Sequence, residues 1–243
     1  MSEKTLHSQA QKPLVVLAGP TAVGKTRLSI HLAQALNGEV ISADSMQVYR
    51  HMDIGSAKIT PEEMGQIPHH LIDVLDPEED FHVVRFQQMA KQALLDIWGR
   101  GRVPLLVGGT GFYIQAVVRD ISFGEERDSE NGYRQELESL AKQKGALWLH
   151  EKLAAVDPEA ARQIHPNKQK RVLRALEYYH DTGNLISDHN REQQAKASAY
   201  NCAYFVLNDD RTLLYQRIEN RVDRMMADGL LKEVKALQER GCT

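Results

Sequence analysis

Three features of the sequence place this 243-residue chain among the α/β proteins, with a parallel sheet, helices on both faces and a helical insertion. Short apolar runs alternate with amphipathic stretches through the first half, the pattern of parallel strands joined by crossover helices. From about residue 121 to 198 the strand-like runs stop, and charged residues, Ala and Gln dominate. One strand-like run then returns ahead of a long helical period. The expected organisation is an α/β core at 13–120, a helical insertion at 121–200 and a return to the core at 201–243. At roughly 150 residues per domain the length allows one or two domains. A composition of 42% hydrophobic and 26% charged residues excludes wholesale disorder.

Leu14 to Leu17 reads as a buried strand between Pro13 and Gly19-Pro20. Lys25 to Leu36 carries Leu28, Leu32, Ala35 and Leu36 at helical spacing and stops at Asn37-Gly38. Val40-Ile41 opens a second strand that runs out into Asp44. A third apolar run, Leu71 to Leu75, takes a strand's place before a helix carrying Phe86, Ala90, Ala93, Leu94 and Ile97. Gly99 and Gly101 stop that helix, and Val103 to Val107 forms the next strand, ending in Gly108-Gly109-Thr110-Gly111. Tyr204 to Leu207 returns as a strand. Asn208-Asp209-Asp210 then caps a long helix whose core face is Leu214, Ile218, Val222 and Met225. Ligands of such sheets bind at the carboxyl ends of the strands.

Thirty Lys and Arg against 33 Asp and Glu give a net charge of −3, which excludes a uniformly basic nucleic-acid coat but not a local basic patch. Two cysteines, Cys202 and Cys242, make no disulfide framework and point to a reducing cytoplasm. No apolar run approaches the roughly 18 residues of a membrane span. The first twelve residues are polar and lack a signal-peptide core. A soluble cytoplasmic protein without a membrane is expected.

Gly19-Pro20-Thr21-Ala22-Val23-Gly24-Lys25-Thr26 fits the G-x-x-x-x-G-K-[ST] phosphate loop of nucleotide- and ATP-binding proteins, with a strand before it and a helix after. In such a loop, backbone N–H groups curl around a phosphate at a helix N-terminus, where the dipole favours negative charge. Lys25 supplies a point charge, and the Thr26 hydroxyl is placed to ligate Mg²⁺. The fold implied is a three-layer, P-loop NTPase-like one that binds a di- or triphosphate. A hydrolytic motor would need an Asp at the end of a later strand. The run 105–107 ends instead in Gly-Gly-Thr-Gly, leaving Asp73 and Asp76 as the other candidates.

Asp44 follows the second strand, so it should sit at the carboxyl edge of the sheet beside the phosphate loop. A carboxylate there suits a general base that takes a proton from an attacking nucleophile. Two classes remain open on these residues: a small-molecule kinase, and a transferase that uses a diphosphate as leaving group.

Taken together, the motifs resemble the tRNA dimethylallyltransferases, also called isopentenyl-tRNA transferases. The strings are GPTAVGKT at 19–26, DSMQVY at 44–49, MDIGSAK at 52–58, PHHLIDVLDP at 68–77 and VPLLVGGTGFYIQAV at 103–117. They continue with DPEAARQIHPNKQKRVLRALE at 157–177 and RIENRVDRMMADGLLKEV at 217–234. The resemblance covers essentially the whole chain after the first dozen residues. It implies transfer of a dimethylallyl group from dimethylallyl diphosphate to N6 of adenosine 37, beside the anticodon of a tRNA. Asp44 then matches the general base. Thr21 matches the donor to the bridging oxygen of the leaving diphosphate, and Lys25 and Arg221 match its neutralising cations. Gly19 to Thr26 match the diphosphate cradle, with Thr26 on the Mg²⁺ side. Asp44, Ser45, Met46, Gln47 and Thr110 match positions that contact tRNA, as does the stretch Gln169, Lys170, Arg171, Val172, Leu173 and Arg174. The family often carries Asp where Lys168 stands. It also continues past residue 243 with a basic, Trp-containing helix, so the sequence reads as a truncated form; a monomer is expected.

The residues agree with this chemistry. An allylic diphosphate ionises readily, so charge on the leaving group is what must be stabilised. Flipping a base costs least in a single-stranded loop, which suits an anticodon stem-loop. Between Ala161 and Arg174 stand Arg162, Lys168, Lys170, Arg171 and Arg174 with no acid. Asn167 is placed to cap their helix, and Val172, Leu176 and Tyr179 form its core face. Arg217, Arg221 and Arg224 make a second stripe, where Glu219 and Asp223 offer structural ion pairs instead. His69, His70 and His165 lack spaced partners for a metal and read as structural. The competing readings are a prenyltransferase of free adenine nucleotides, a P-loop small-molecule kinase and a non-catalytic RNA-binding module.

Overall fold

The computed structural model describes residues 11–123 and 132–242. They fall into two compact units, one running to residue 121 and resuming at 198, the other spanning 122–197.

The core unit opens with β1 (Pro13–Ala18), the phosphate loop and α1 (Lys25–Leu36), which ends on Asn37 in the left-handed conformation (φ 50°). β2 (Gly38–Ala43), the short α2 (Pro61–Met64) and a two-residue β3 (His69–His70) follow. Next come α3 (Val83–Gly99), β4 (Val103–Gly108) and α4 (Gly111–Val118). The second unit is helical: α5 (Gly132–Lys144), α6 (Ala146–Val156), α7 (Pro158–Gln163), α8 (Gln169–Thr182) and α9 (Ile186–Ala195). The chain then returns to the core unit as β5 (Asn201–Val206), α10 (Arg211–Asp228) and α11 (Leu230–Glu239).

The five strands form one parallel sheet in the order β3-β2-β4-β1-β5. Alternate side chains face opposite sides. On one face Leu14, Val16, Ile41 and Leu106 meet Phe86, Leu94 and Ile97 of α3 and Ile114 and Val117 of α4. On the other, Leu17, Val40, Leu105 and Val107 pack with Ala33 of α1. The register sets Ala43 opposite Gly108 and Leu17 opposite Val107, so the three central strands finish together and their following loops share one edge.

Several expectations are corrected. The third strand is His69–His70, not Leu71 to Leu75. Leu71 (φ 63°) and Asp73 (φ 54°) leave the extended conformation, so the run buries Leu71 and Leu75 without forming a ladder. The last strand begins at Asn201, earlier than Tyr204. The final helical stretch breaks at Gly229 (φ 105°), and none of its side chains is fully buried: Leu214, Ile218 and Met225 are half-buried, and Val222 is exposed. Its cap is as read, with Asp210 accepting from the N–H groups of Thr212 and Leu213.

In the helical unit, Leu137, Leu149, Leu153, Val172, Leu173 and Leu176 form a separate core. Burial pushes the Asp157 carboxyl up, but N–H groups of Ala160 and Ser187, both at 2.9 Å, hold it below the usual range. It thereby caps α7 and pins the start of α9. Asn167 does not cap α8: a turn closed by Lys168 N–H on the His165 carbonyl makes Lys168 the cap residue, with no side-chain bond. Tyr179 is exposed, and Ala175 takes its place in the core.

Candidate active site

The loops at the carboxyl edge of the sheet enclose a cavity of about 590 Å³ within the core unit. Its phosphate-loop side is shaped by two glycines. At Gly19 (φ 152°) a Cβ would stand 2.6 Å from the Leu207 carbonyl oxygen, and Gly24 (φ 94°) turns the chain into α1. Ala22 is held left-handed as well (φ 65°), a strain typical of functional loops. Lys25 Nζ donates to the carbonyls of Gly19 at 2.9 Å and Pro20 at 2.8 Å. An ammonium has three N–H donors, so one remains for an anion. Burial lowers the Lys25 pKa and nearby Arg221 adds to this, while Asp44 opposes it.

Asp44 stands one residue beyond β2. Its Oδ1 accepts from the N–H of Met46 at 2.8 Å and of Gln47 at 3.3 Å. This turn fixes the carboxylate against the cavity it lines. The third charged group is Arg221 of α10, which donates to the Ser56 carbonyl at 3.5 Å. Burial lowers its pKa too, and Asp44 again opposes the shift. Two cations and a carboxylate thus share one partly dry site. Ile30, Val40, Ile59, Ile72 and Val107 give the same cavity an apolar lining.

Of the residues singled out in the sequence, Thr21, Ala22, Gly24, Lys25, Thr26, Asp44, Gln47 and Arg221 line this cavity. Gly19, Pro20 and Val23 complete the loop without lining it, and neither Ser45, Met46 nor Thr110 is part of the lining. Thr110 begins α4 at the same edge, its N–H on the Ala43 carbonyl at 3.4 Å. Gln47 is already engaged: its amide donates to the carbonyls of Ser56 and Ala57 and pairs with the Ser42 hydroxyl. The Thr26 hydroxyl has no hydrogen bond among the described residues. No group of three His, Cys, Asp or Glu side chains among them is placed to hold a metal.

The alternative acids are used elsewhere. Asp73 binds the buried Lys58 ammonium at 2.5 Å, and Asp76 pairs with Arg50. The lining residues Ser56, Ala57 and Ile59 escaped the reading by chemistry, although MDIGSAK contains two of them, and His69, read as structural, lines the cavity as well. His69 Nδ1 donates to the Ile67 carbonyl, and burial lowers its pKa. His70 pairs with Glu39. Arg217 pairs with Asp209 at 2.8 Å, while Glu219 and Asp223 pair with no residue of the stripe.

In the helical unit, Lys168, Gln169, Lys170, Arg171 and Arg174 are exposed, and among the described residues the four basic ones have no acidic partner. Arg162 does have one, Glu159 at 2.5 Å. Val172 and Leu173 are buried in the unit's own core, so of the stretch read from 169 to 174 only Gln169, Lys170, Arg171 and Arg174 face outward.

A family model described as IPP transferase matches residues 47–243, and one described as isopentenyl transferase matches 12–73. A tRNA dimethylallyltransferase of Lachnoclostridium phytofermentans is 59% identical over 230 residues, covering 95% of this chain and 73% of the relative. That of Bacillus subtilis is 50% identical over 233 residues, covering 96% and 74%. Among solved structures, the full-length tRNA isopentenylpyrophosphate transferase of Bacillus halodurans is 50% identical with a TM-score of 0.67, covering 96% of this chain and 72% of that one. A eukaryotic dimethylallyltransferase acting on tRNA is 37% identical with a TM-score of 0.83, covering 94% and 56%.

Proposed function

The chain belongs to the tRNA dimethylallyltransferase family, and from that premise we propose that its cavity joins dimethylallyl diphosphate to N6 of adenosine 37 in a tRNA. It is an enzyme of this kind, with an α/β core of the P-loop NTPase type. The observation that carries the reading is the pairing of a phosphate loop with Asp44 and Arg221 around one partly apolar cavity.

In the proposed reaction the allylic C1–O bond breaks and the C1–N6 bond forms. The diphosphate leaves, and the N6 proton goes to Asp44. Lys25, Arg221 and the backbone N–H groups at the start of α1 meet the charge that builds on the leaving group. Thr21, which lines the cavity, donates to the bridging oxygen. Asp44 enters late, because an aromatic amine becomes acidic only as its new bond forms. The aliphatic lining supports an isoprenoid donor over a nucleotide, and the Gly108-Gly109-Thr110 sequence at the end of β4 offers no acid for a hydrolytic motor.

We also propose Mg²⁺ on the diphosphate, with Thr26 as the chain's own ligand. The exposed hydroxyl suits a cation that keeps several waters and takes substrate oxygens. Its bound charge would offset part of the leaving diphosphate's. The unpaired basic face of α8 is the surface proposed for the RNA backbone, where cations position without reading sequence. We also propose a monomer in the cytoplasm, the reducing compartment that two free cysteines suit; among the described residues no helix is long and apolar enough to cross a membrane.

The test offers the chain labelled dimethylallyl diphosphate or ATP, with AMP or an anticodon stem-loop carrying adenosines at positions 36 to 38. Prenylated stem-loop is the expected product. Phosphorylated AMP, or prenylated AMP in its place, would refute the assignment.

A further inference from the structure

Glu233, in the first turn of α11, makes a contact that none of the site chemistry above requires. Its Oε2 accepts from the backbone N–H of Asp53 and of Ile54, each at 2.8 Å, and its Oε1 from that of Gly55 at 2.9 Å. Three successive N–H groups converging on one carboxylate form an anion nest, here filled by a side chain from the far end of the sequence. Bonds of this kind, with an ionised acceptor, are the stronger ones.

The nest adjoins the cavity wall, which Ser56 and Ala57 line. The next residue, Ser56, offers its carbonyl to Arg221 at 3.5 Å and to Gln47 at 3.4 Å. From within the unit, Lys58 Nζ ties the same segment to Asp53 Oδ1 at 2.6 Å and to the Tyr49 carbonyl at 2.6 Å. The segment is therefore rigid on its inner side and gripped by α11 on the other. Arg221 rides on α10, which joins α11 at Gly229. Neither helix buries a side chain fully, so packing alone holds them weakly.

We propose that Glu233 is a positioning residue: its grip on Asp53–Gly55 fixes the α10–α11 pair so that Arg221 is preset against the departing diphosphate. This rests on reading the cavity as the diphosphate site. An untethered Arg221 would have to be ordered at each binding event, and that ordering weakens affinity.

Two variants probe the grip without emptying it. Glu233→Gln keeps the shape, removes the charge and turns one of the two accepting oxygens into an amide donor. Gly55→Ala keeps the charge and introduces a Cβ 3.3 Å from Glu233 Oε1 and 3.2 Å from Leu230 Cδ1. Pyrophosphate binding is measured by calorimetry, and transfer to the stem-loop by kcat/KM, in the unaltered and the Arg221→Ala backgrounds. In the first background each variant should weaken both by about tenfold, the value of one charge-assisted hydrogen bond. In the Arg221→Ala background neither should weaken pyrophosphate binding further. Equal losses in both backgrounds, or a lowered Tm with unchanged affinity, would overturn the proposal while leaving the diphosphate site intact. An unaltered chain that binds no pyrophosphate would overturn both; one that binds it but transfers nothing would overturn the reaction alone.

Discussion

At Asp44 the two carboxylate oxygens have different duties. Oδ1 is committed to the turn that holds Met46 and Gln47, and no described residue hydrogen-bonds Oδ2. Asp44→Asn keeps an acceptor for the turn and removes the base. Transfer should then fall by about 10²-fold or more, the usual weight of a general base. Pyrophosphate binding should hold or tighten, because a negative charge near Lys25 and Arg221 is gone; a calorimetric loss of binding would refute the base role. At the opposite end of β2, Glu39 is almost wholly buried and bonded by Arg100, Arg102 and His70. Arg100 chiefly holds its pKa down, from 4.5 to about 2, against burial that raises it. A depressed carboxyl stabilises the fold above its unfolded pKa, so the contribution is full above pH 4.5 and lost as pH falls toward 2. It amounts to about 3 kcal/mol at neutral pH. Glu39→Gln should lower stability by a similar amount and flatten the acid limb of a urea-unfolding series against pH.

Elements were legible where one pattern dominated. The phosphate loop, α3 and β4 lie where apolar spacing and glycine boundaries put them; α1 has the expected bounds but buries Ser29 and Ala33, while Leu28, Ala35 and Leu36 of the expected apolar spacing are exposed. Leu71 to Leu75 shows that burial is not extension: with Leu71 and Asp73 left-handed, the run bends and buries only Leu71 and Leu75. α4 was hidden by the glycines that open it. Val222 belonged to a periodic face that α10 does not bury. The site was legible at Asp44 and the glycine loop, whose chemistry is local. Ser56 and Ala57 were not, since their role comes from a carbonyl and a wall position that leave no side-chain pattern. For α8 the sequence named a surface, and burial now divides it: Lys170 and Arg174 face outward, Val172 and Leu173 inward. Lys170→Glu with Arg174→Glu should weaken binding of the anticodon stem-loop and reduce its log–log salt slope by about one per lost cation. Pyrophosphate affinity should not change. An unaltered slope in a salt titration would assign the RNA surface elsewhere.

For the molecule as a whole, the two units have separate hydrophobic cores, and every residue lining the cavity belongs to the one built on the sheet. The ends of the helical unit are met by a clasp in the core: the N–H of Ala199 donates to the Val118 carbonyl at 2.9 Å, beside the start of β5. The sheet does not depend on the insertion to close, since β5 pairs with β1 along its full length, from Pro13 opposite Asn201 to Ala18 opposite Val206. Replacing residues 122–197 by a short Gly/Ser linker should therefore leave a folded unit with an intact phosphate loop, Asp44 and Arg221. That unit should bind pyrophosphate within about threefold of the unaltered chain, because distant independent sites add within about half a kcal/mol. Transfer to the stem-loop should fall and lose most of its salt dependence, since each neutralised phosphate adds to both the affinity and the salt slope. Retained transfer would remove the RNA role from the helical unit. Lost pyrophosphate binding in a soluble, cooperatively unfolding deletion variant would mean that the insertion shapes the donor site as well.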